Sequence, residues 1–396
     1  MGLGRNQEGS RVLSLVDSLF NGLSIGAVLL MAALGLAIVF GLMGVINMAH
    51  GELMMLGAYT TLLVQNAFKT WLPGALPLYI FPALIAAFLV TALVGFGLER
   101  GVIRFLYGRP LETLLATWGV SLIFQQFVRS ISWGLTIRLA LFSTLFFVAW
   151  VLLARRADWS RQKGWMLTVV GILAGGVMIA VGQFLAKTYG LPITKPWFGA
   201  QNQDVSAPVW LQSGIPVGGL FLPSARLFII ALTILCVLGV YLFLQKTRWG
   251  LRIRAVTQNR RMSACVGIPT QTVDALTFAL GSGLAGVAGC AVSLLGSVGP
   301  NTGQNYIVDT FMVVVVGGVG KLAGSVVAAM GIGILNYVIG SGLFAIWLSF
   351  APPLVDFFTF FATTSMAKVM VFALIVTFLQ YKPAGLFPEK GRTVDA

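Results

Sequence analysis

Apolar residues in this chain do not alternate with polar ones; they fill whole segments. Such runs occupy residues 13–43, 48–66, 76–98, 111–131, 136–154, 166–186, 226–245, 272–297, 304–320, 324–346 and 365–380. Most approach the roughly 20 residues with which a helix crosses a bilayer. The pattern predicts an all-α fold, a polytopic integral membrane helical bundle of about 10–11 transmembrane helices with broken or re-entrant segments. Barrel strands would read as segments of roughly ten residues with alternating polarity, and none occur. The first run exceeds the roughly 7–15 residues of a signal-peptide core and leads straight into the next span, so it is expected to be retained.

Composition agrees: of 396 residues, 58% are hydrophobic and 10% charged, a balance foreign to ordinary soluble domains. Charge adds the topology. Lys and Arg number 26 against 12 Asp and Glu, a net charge of +14. In a soluble protein that surplus would suggest nucleic acid. Here sixteen of the basic residues fall in four places: Arg100, Arg104 and Arg109; Arg155, Arg156, Arg161 and Lys163; six between Lys246 and Arg261; and Lys382, Lys390 and Arg392. The positive-inside rule puts all four on the cytoplasmic side, the C-terminus with them, and leaves no nucleic-acid partner to expect. Even numbers of spans separate them, as one shared side requires. The side of the N-terminus stays open, because residues 44–60 read as either a broken helix or a re-entrant turn.

Several motifs point to chemistry that their setting withholds. Gly281, Gly283 and Gly286 satisfy G-x-G-x-x-G, but inside an apolar span rather than after a strand. Gly281, Ala285, Gly289, Ser293 and Ser297 put a small residue at every fourth position, which lets another helix approach closely in lipid. "VVVVGGVGKLAG" (313–324) imitates a phosphate loop but has Val315 and Leu322 where glycine and Ser or Thr are needed. Gly317, Gly318, Gly320 and Gly324 read instead as a tight turn beside Lys321. Cys236, Cys265 and Cys290 lack metal or disulfide spacing, and a single histidine supports neither a metal site nor a catalytic triad. No enzyme activity, metal or cofactor is expected on this chain.

The stretch 246–269 is the longest link between spans with helical character. It carries Arg252, Arg254, Arg260 and Arg261, and no acid follows before Asp274. A solvated topogenic loop explains the charge. An amphipathic helix closed by Gly267 and Pro269, suited to dock on a soluble partner, explains the length and the ending as well.

"NGLSIGAVLLMAALGLAIVFGLMGVINMAHGELMMLGAYTT" resembles the N-terminal signature of ABC-importer permeases of the branched-chain amino acid group, which carry N-[FM]-A-H-G-E. "RPLETLLATWGVSL", "GAQN", "LRIRAVTQNRRMSACVGIPT" and "GPNTGQNYIVDTFMVVVVGGVGKLAG" resemble the urea-transport branch of that group. The resemblance implies a bacterial inner-membrane subunit surrounded by lipid. Its partners would be a second homologous permease subunit, two cytoplasmic ATPase subunits that carry the ATP, and a periplasmic urea-binding protein. The segment 246–269 would then be the ATPase-coupling segment, although Arg261, Met262 and Ser263 stand where many such importers have Glu-Ala-Ala. Residues 134–198 depart from the pattern and read as an inserted two-helix hairpin with a periplasmic connection.

Two polar clusters interrupt the spans. Asn47 and His50 sit between Gly44 and Gly51, with Glu52 just after, where a helix break would be tolerated only if buried in protein or lining a wet cavity. They read equally as a solute path and as a cap with first-turn acid for the following helix. In "GPNTGQNYIVD" (299–309), Asn301, Gln304 and Asn305 fall at the external end, with Asp309 about one turn into the next helix; a solute mouth competes with a plain turn. The expected function is ATP-driven import of urea by alternating access. A branched-chain amino acid permease is the nearest rival, a passive urea or water channel the rival from another class, and a non-transporting scaffold a third.

Overall fold

The computed structural model describes residues 2–154, 159–189, 195–217, 220–343, 355 and 359–387. Arg155, Arg156, Lys390 and Arg392 lie outside them. Each predicted run coincides with a helix: α1 (Gly2–Met43), α2 (His50–Trp71), α3 (Ile80–Gly101), α4 (Pro110–Ser130), α5 (Trp133–Ala154), α6 (Trp159–Tyr189) and α7 (Ser224–Lys246). The short helices α8 (Arg248–Gln258) and α9 (Arg260–Cys265) follow, then α10 (Thr270–Ser293), α11 (Thr302–Gly317), α12 (Leu322–Gly340) and α13 (Thr364–Tyr381). Among the described residues, five helical stretches are long and apolar enough to cross a membrane: Leu15–Met43, Ile80–Phe105, Ser224–Lys246, Thr270–Ser293 and Leu322–Gly340. Shorter apolar helices cover Trp133–Ala149, Thr168–Phe184 and Ser365–Tyr381. The all-α fold holds, with one small antiparallel strand pair beside the helices, Gly214–Val217 with Leu220–Pro223, in register Gly214 to Pro223. Its four-residue strands are too short for a legible alternation, and Pro216 and Pro223 tolerate the edge positions of a two-stranded ribbon.

The chain forms two compact units, residues 1–121 with 204–396, and residues 122–203. In the larger, α1 and α10 are central. The apolar window of Leu15–Met43 is 83% buried and that of Thr270–Ser293 89%, against 28% for Ile80–Phe105 and 22% for Ser224–Lys246. Small residues permit the crossings. A Cβ on Gly281 would lie 2.7 Å from the Gly35 carbonyl oxygen, and one on Gly303 would lie 2.9 Å from Glu52 N. Gly57 of α2 meets the Gly286 backbone of α10, and Gly289 meets Met54 and Ala58. Gly281, Gly289 and the fully buried Ala285 therefore stand at close helix contacts. Ser293 ends the helix, its hydroxyl donating to the Cys290 carbonyl at 2.7 Å, so the stripe stops one turn short of Ser297.

The smaller unit contains residues 134–198. Its helices α5 and α6 pack together, with Arg138 Nη2 donating to the Gly182 carbonyl at 2.9 Å. Ser132 Oγ accepts from Leu135 N at 3.2 Å at the start of α5. Trp133 and Trp197 meet edge to face at 4.9 Å. Ile137, Phe147, Leu173 and Phe184 are exposed apolar side chains of these two helices.

Candidate functional site

The break after α1 is set by Gly44, whose φ of +68° is open to glycine and strained for other residues. Residues 44–49 are non-helical and α2 starts at His50. Gly51 does not bracket this break as its position suggested; it lies within α2 and is small because α11 crosses there. The interrupted backbone is satisfied by side chains. Asn47 Oδ1 accepts from Ala49 N at 3.1 Å, and Thr117 Oγ1 of α4 accepts from Met48 N at 3.1 Å.

His50 is fully buried and its Nε2 lies 3.0 Å from the Ala32 carbonyl of α1. A carbonyl only accepts, so Nε2 carries the proton and Nδ1 is left as a bare acceptor. The ring fills space beside Gly35, 2.8 Å from where a Cβ there would stand. Glu52, in the first turn of α2, accepts from Ser121 Oγ at 3.0 Å. Asn47, His50 and Glu52 are each at most 2% exposed. Asn47 Nδ2 and His50 Nδ1 have no hydrogen-bond partner among the described residues. The motif thus holds one unused donor and one unused acceptor inside a sealed interior.

The second cluster meets the first at one point. α11 begins at Thr302, whose Oγ1 accepts from Gly299 N at 2.9 Å, and Gly303 packs backbone to backbone on Gly51. The N-termini of α2 and α11 therefore converge, while Asn301, Gln304 and Asn305 point to the exterior. Asp309 stands two turns into α11 rather than one, and it is paired with Lys368 of α13 at 2.9 Å. The Lys368 ammonium also lies 5.9 Å from the Tyr306 ring centroid. Sequence reasoning missed Lys368, a lone cation 59 residues away. Lys368→Met strands a carboxylate that is 13% exposed and is expected to cost about 1–2 kcal/mol, the partner's exposure keeping it below a fully buried pair. Thermal unfolding in detergent should show that loss, and Asp309→Asn/Lys368→Met should recover most of it.

The segment 246–269 folds as two helices rather than one. Thr247 caps α8 by accepting from Gly250 N at 3.0 Å, and Asn259, extended at φ −153°, caps α9 by accepting from Met262 N at 2.9 Å. Each cap satisfies orphan amides and restarts the helix in a new direction. Gly267, at φ +84°, closes the segment. Ile253 and Val256 are buried, whereas Leu251, Met262 and Val266 are between 61% and 74% exposed.

The four arginines divide. Arg252 lies over Trp249 at 4.9 Å. Arg254 Nη1 donates to Gln245 Oε1 at 2.9 Å, and Arg261 is exposed. Arg260 turns inward: its Nη2 is 2.6 Å from Asp274 Oδ2 of α10, and its guanidinium sits 4.6 Å over the Tyr107 ring. Tyr107 in turn donates to Glu99 Oε1 of α3 at 3.1 Å. Burial, with Asp274 and Glu99 adding, pushes the Tyr107 phenol well above its ordinary range, so it stays a donor. One arginine thus ties α9 to α3 and α10.

Neither of two cavities reaches the His50 motif. One, of about 340 Å³, is lined by apolar side chains including Phe88, Phe243 and Leu280. The other, of about 420 Å³, lies where α1, α7, α8 and the start of α12 meet.

The family model described as branched-chain amino acid transport system / permease component matches residues 18–379. The high-affinity branched-chain amino acid transport system permease protein BraD of Pseudomonas aeruginosa is 23% identical over 373 residues, covering 94% of this chain and 95% of its own. The corresponding LivH of Escherichia coli is 23% identical over 376 residues, covering 94% and 96%. A probable branched-chain amino acid transport permease protein LivH of Methanocaldococcus jannaschii is 25% identical over 312 residues, covering 78% and 76%. These names carry branched-chain amino acids where the sequence suggested urea, so the nearest rival reading fits better than the expected one. No solved structure matches.

Proposed function

Since the chain belongs to the branched-chain amino acid transport system permease family, a family of membrane permease components and not of enzymes, we propose that it is the membrane-spanning subunit of an ATP-driven ABC importer for a branched-chain amino acid or a close analogue. The observation that carries this reading is α8–α9. The segment presents exposed Leu251, Arg261, Met262 and Val266 outward and anchors Arg260 inward. A docking face backed by a fixed link to two membrane helices is what a subunit driven by separate ATPases requires. A passive channel has no use for either.

Solute choice follows from the broken helices. An amino acid is zwitterionic, and the converging N-termini of α2 and α11 offer the positive ends of two helix dipoles to its carboxylate, with the Glu52 carboxyl nearby as an acceptor for its ammonium. Asn47 Nδ2 and His50 Nδ1 also suit urea, which is neutral and carries both donors and an acceptor. Full-length likeness to branched-chain amino acid permeases favours the zwitterion. The remaining partners would be two cytoplasmic ATPase subunits, a second permease subunit and a periplasmic binding protein, with the basic segments and the C-terminus facing the cytoplasm of the inner membrane.

Vesicles holding this chain and its partner subunits, supplied with labelled leucine or labelled urea, decide the matter. ATP-dependent uptake of leucine in preference to urea is the expected result. Urea uptake that needs ATP would restore the urea importer, and equal flux without ATP or partners would make the protein a channel.

A further inference from the structure

The cavity of about 420 Å³ is lined by both charged and apolar side chains. Arg254 of α8 and Lys321 at the start of α12 line it together with Gln245, and its apolar wall includes Leu42, Leu244 and Leu322. No carboxylate lines it. Among the described residues neither cation joins an ion pair. Arg254 uses Nη1 on Gln245, while its Nε is buried without a partner. A buried guanidinium N–H without a partner, on a half-buried arginine beside an exposed lysine and with no carboxylate in the lining, is an arrangement that an anion would complete. On α7, Leu238, Tyr241 and Leu242 are more than half exposed, and Tyr241 lines the cavity. An apolar outer surface therefore leads sideways to the mouth, the direction from which a molecule dissolved in the bilayer arrives.

We propose that this cavity binds the phosphate headgroup of an anionic phospholipid of the cytoplasmic leaflet, held by Arg254 and Lys321, with the adjoining acyl chain against the apolar ends of α1 and α7. Basic pockets between membrane helices on the cytoplasmic side are suited to such headgroups. The leaflet rests on the permease reading above; the binding chemistry does not. The lipid would bridge α8 to the turn before α12. The end of α11, just before that turn, is held by the C-terminal segment, Leu386 N donating to the Val316 carbonyl at 2.8 Å.

The test is native mass spectrometry of the purified full chain offered phosphatidylglycerol and phosphatidylcholine in equal amounts. A preference for phosphatidylglycerol of about tenfold is expected from two cations at a membrane surface. Arg254→Gln/Lys321→Gln should bring it near parity, while Arg248→Gln, on the same helix but outside the cavity, should leave it intact. Lys321→Gln alone alters an exposed side chain and should lose part of the preference, so the experiment stays readable if the double variant does not fold. A preference unmoved by these changes overturns the proposal. Displacement of the lipid by equimolar inorganic phosphate would make it a soluble-anion site. Lost binding of ATPase subunits with unchanged lipid preference would make it a protein pocket. Because no transport is measured, failure here leaves the importer reading standing, and failure of the uptake assay leaves lipid binding to be judged alone.

Discussion

Replacing Arg260 with alanine will cut ATP-driven uptake about tenfold, because losing the partner of a nearly buried carboxylate costs about 1–3 kcal/mol, and 1.4 kcal/mol is a factor of ten. Asp274 is 7% exposed and Arg260 44%, so the lower half of that range is the better guide. The ATPase subunits should stay bound and should hydrolyse ATP without moving solute, since the exposed face of α8 and α9 is untouched. Arg261→Ala should do the opposite and weaken ATPase binding while leaving the fold intact. Co-purification measured beside uptake separates the two. If Arg260→Ala releases the ATPases while Arg261→Ala does not, the inward tether is a docking contact and the division of the arginines is wrong. Tyr107→Phe tests the next link: the ring under Arg260 remains, Glu99 loses its donor, and a smaller loss of coupling is expected.

Gly303→Val will yield no stably folded protein. A Cβ there would overlap the Gly51 backbone and stand 2.9 Å from Glu52 N, so neither neighbour is a side chain that can swing away. Overpacking costs about 1–3 kcal/mol where neighbours can shift and more where they cannot; two helix backbones in contact are the latter case. Gly51→Val should fail equally, its Cβ meeting the Gly303 carbonyl carbon at 2.9 Å and Ile307 Cβ at 3.1 Å. Gly44→Ala is the comparison. Nothing lies within 4 Å of its Cβ, and only the positive φ opposes it, at about 1 kcal/mol. Size-exclusion profiles in detergent would rank the three. A monodisperse Gly303→Val protein would show that the helices part at that crossing without loss.

The helices were legible because each span is apolar throughout, which needs no knowledge of neighbours. Gly44 and Gly267 were readable as punctuation, and both have positive φ. Asn259 was the missed signal: an asparagine three residues before Met262 is a cap, and it splits a segment that reads as one helix. The polar motifs stood out against their surroundings, but their partners did not. His50 meets a carbonyl 18 residues back, Glu52 a serine 69 residues on, and Asp309 a lysine 59 residues on. Nothing local encodes which surface an arginine faces, so four similar residues in one basic stretch gave no hint that one turns in toward Asp274. The hairpin at 214–223 is simply too short to carry a period.

The bond from Met48 N to Thr117 bears on how the chain enters the membrane. Residues 44–49 leave the helical ladder, and in hydrocarbon each unpaired amide or carbonyl costs several kcal/mol. Ala49 N is met locally by Asn47, but the partner of Met48 N is 69 residues further along, on a helix still inside the ribosome or translocon when α1 and α2 emerge. That one amide therefore cannot be satisfied in synthesis order. It must wait in a wet or protein-lined shelter until α4 arrives, which couples completion of the α1–α2 break to the arrival of α4.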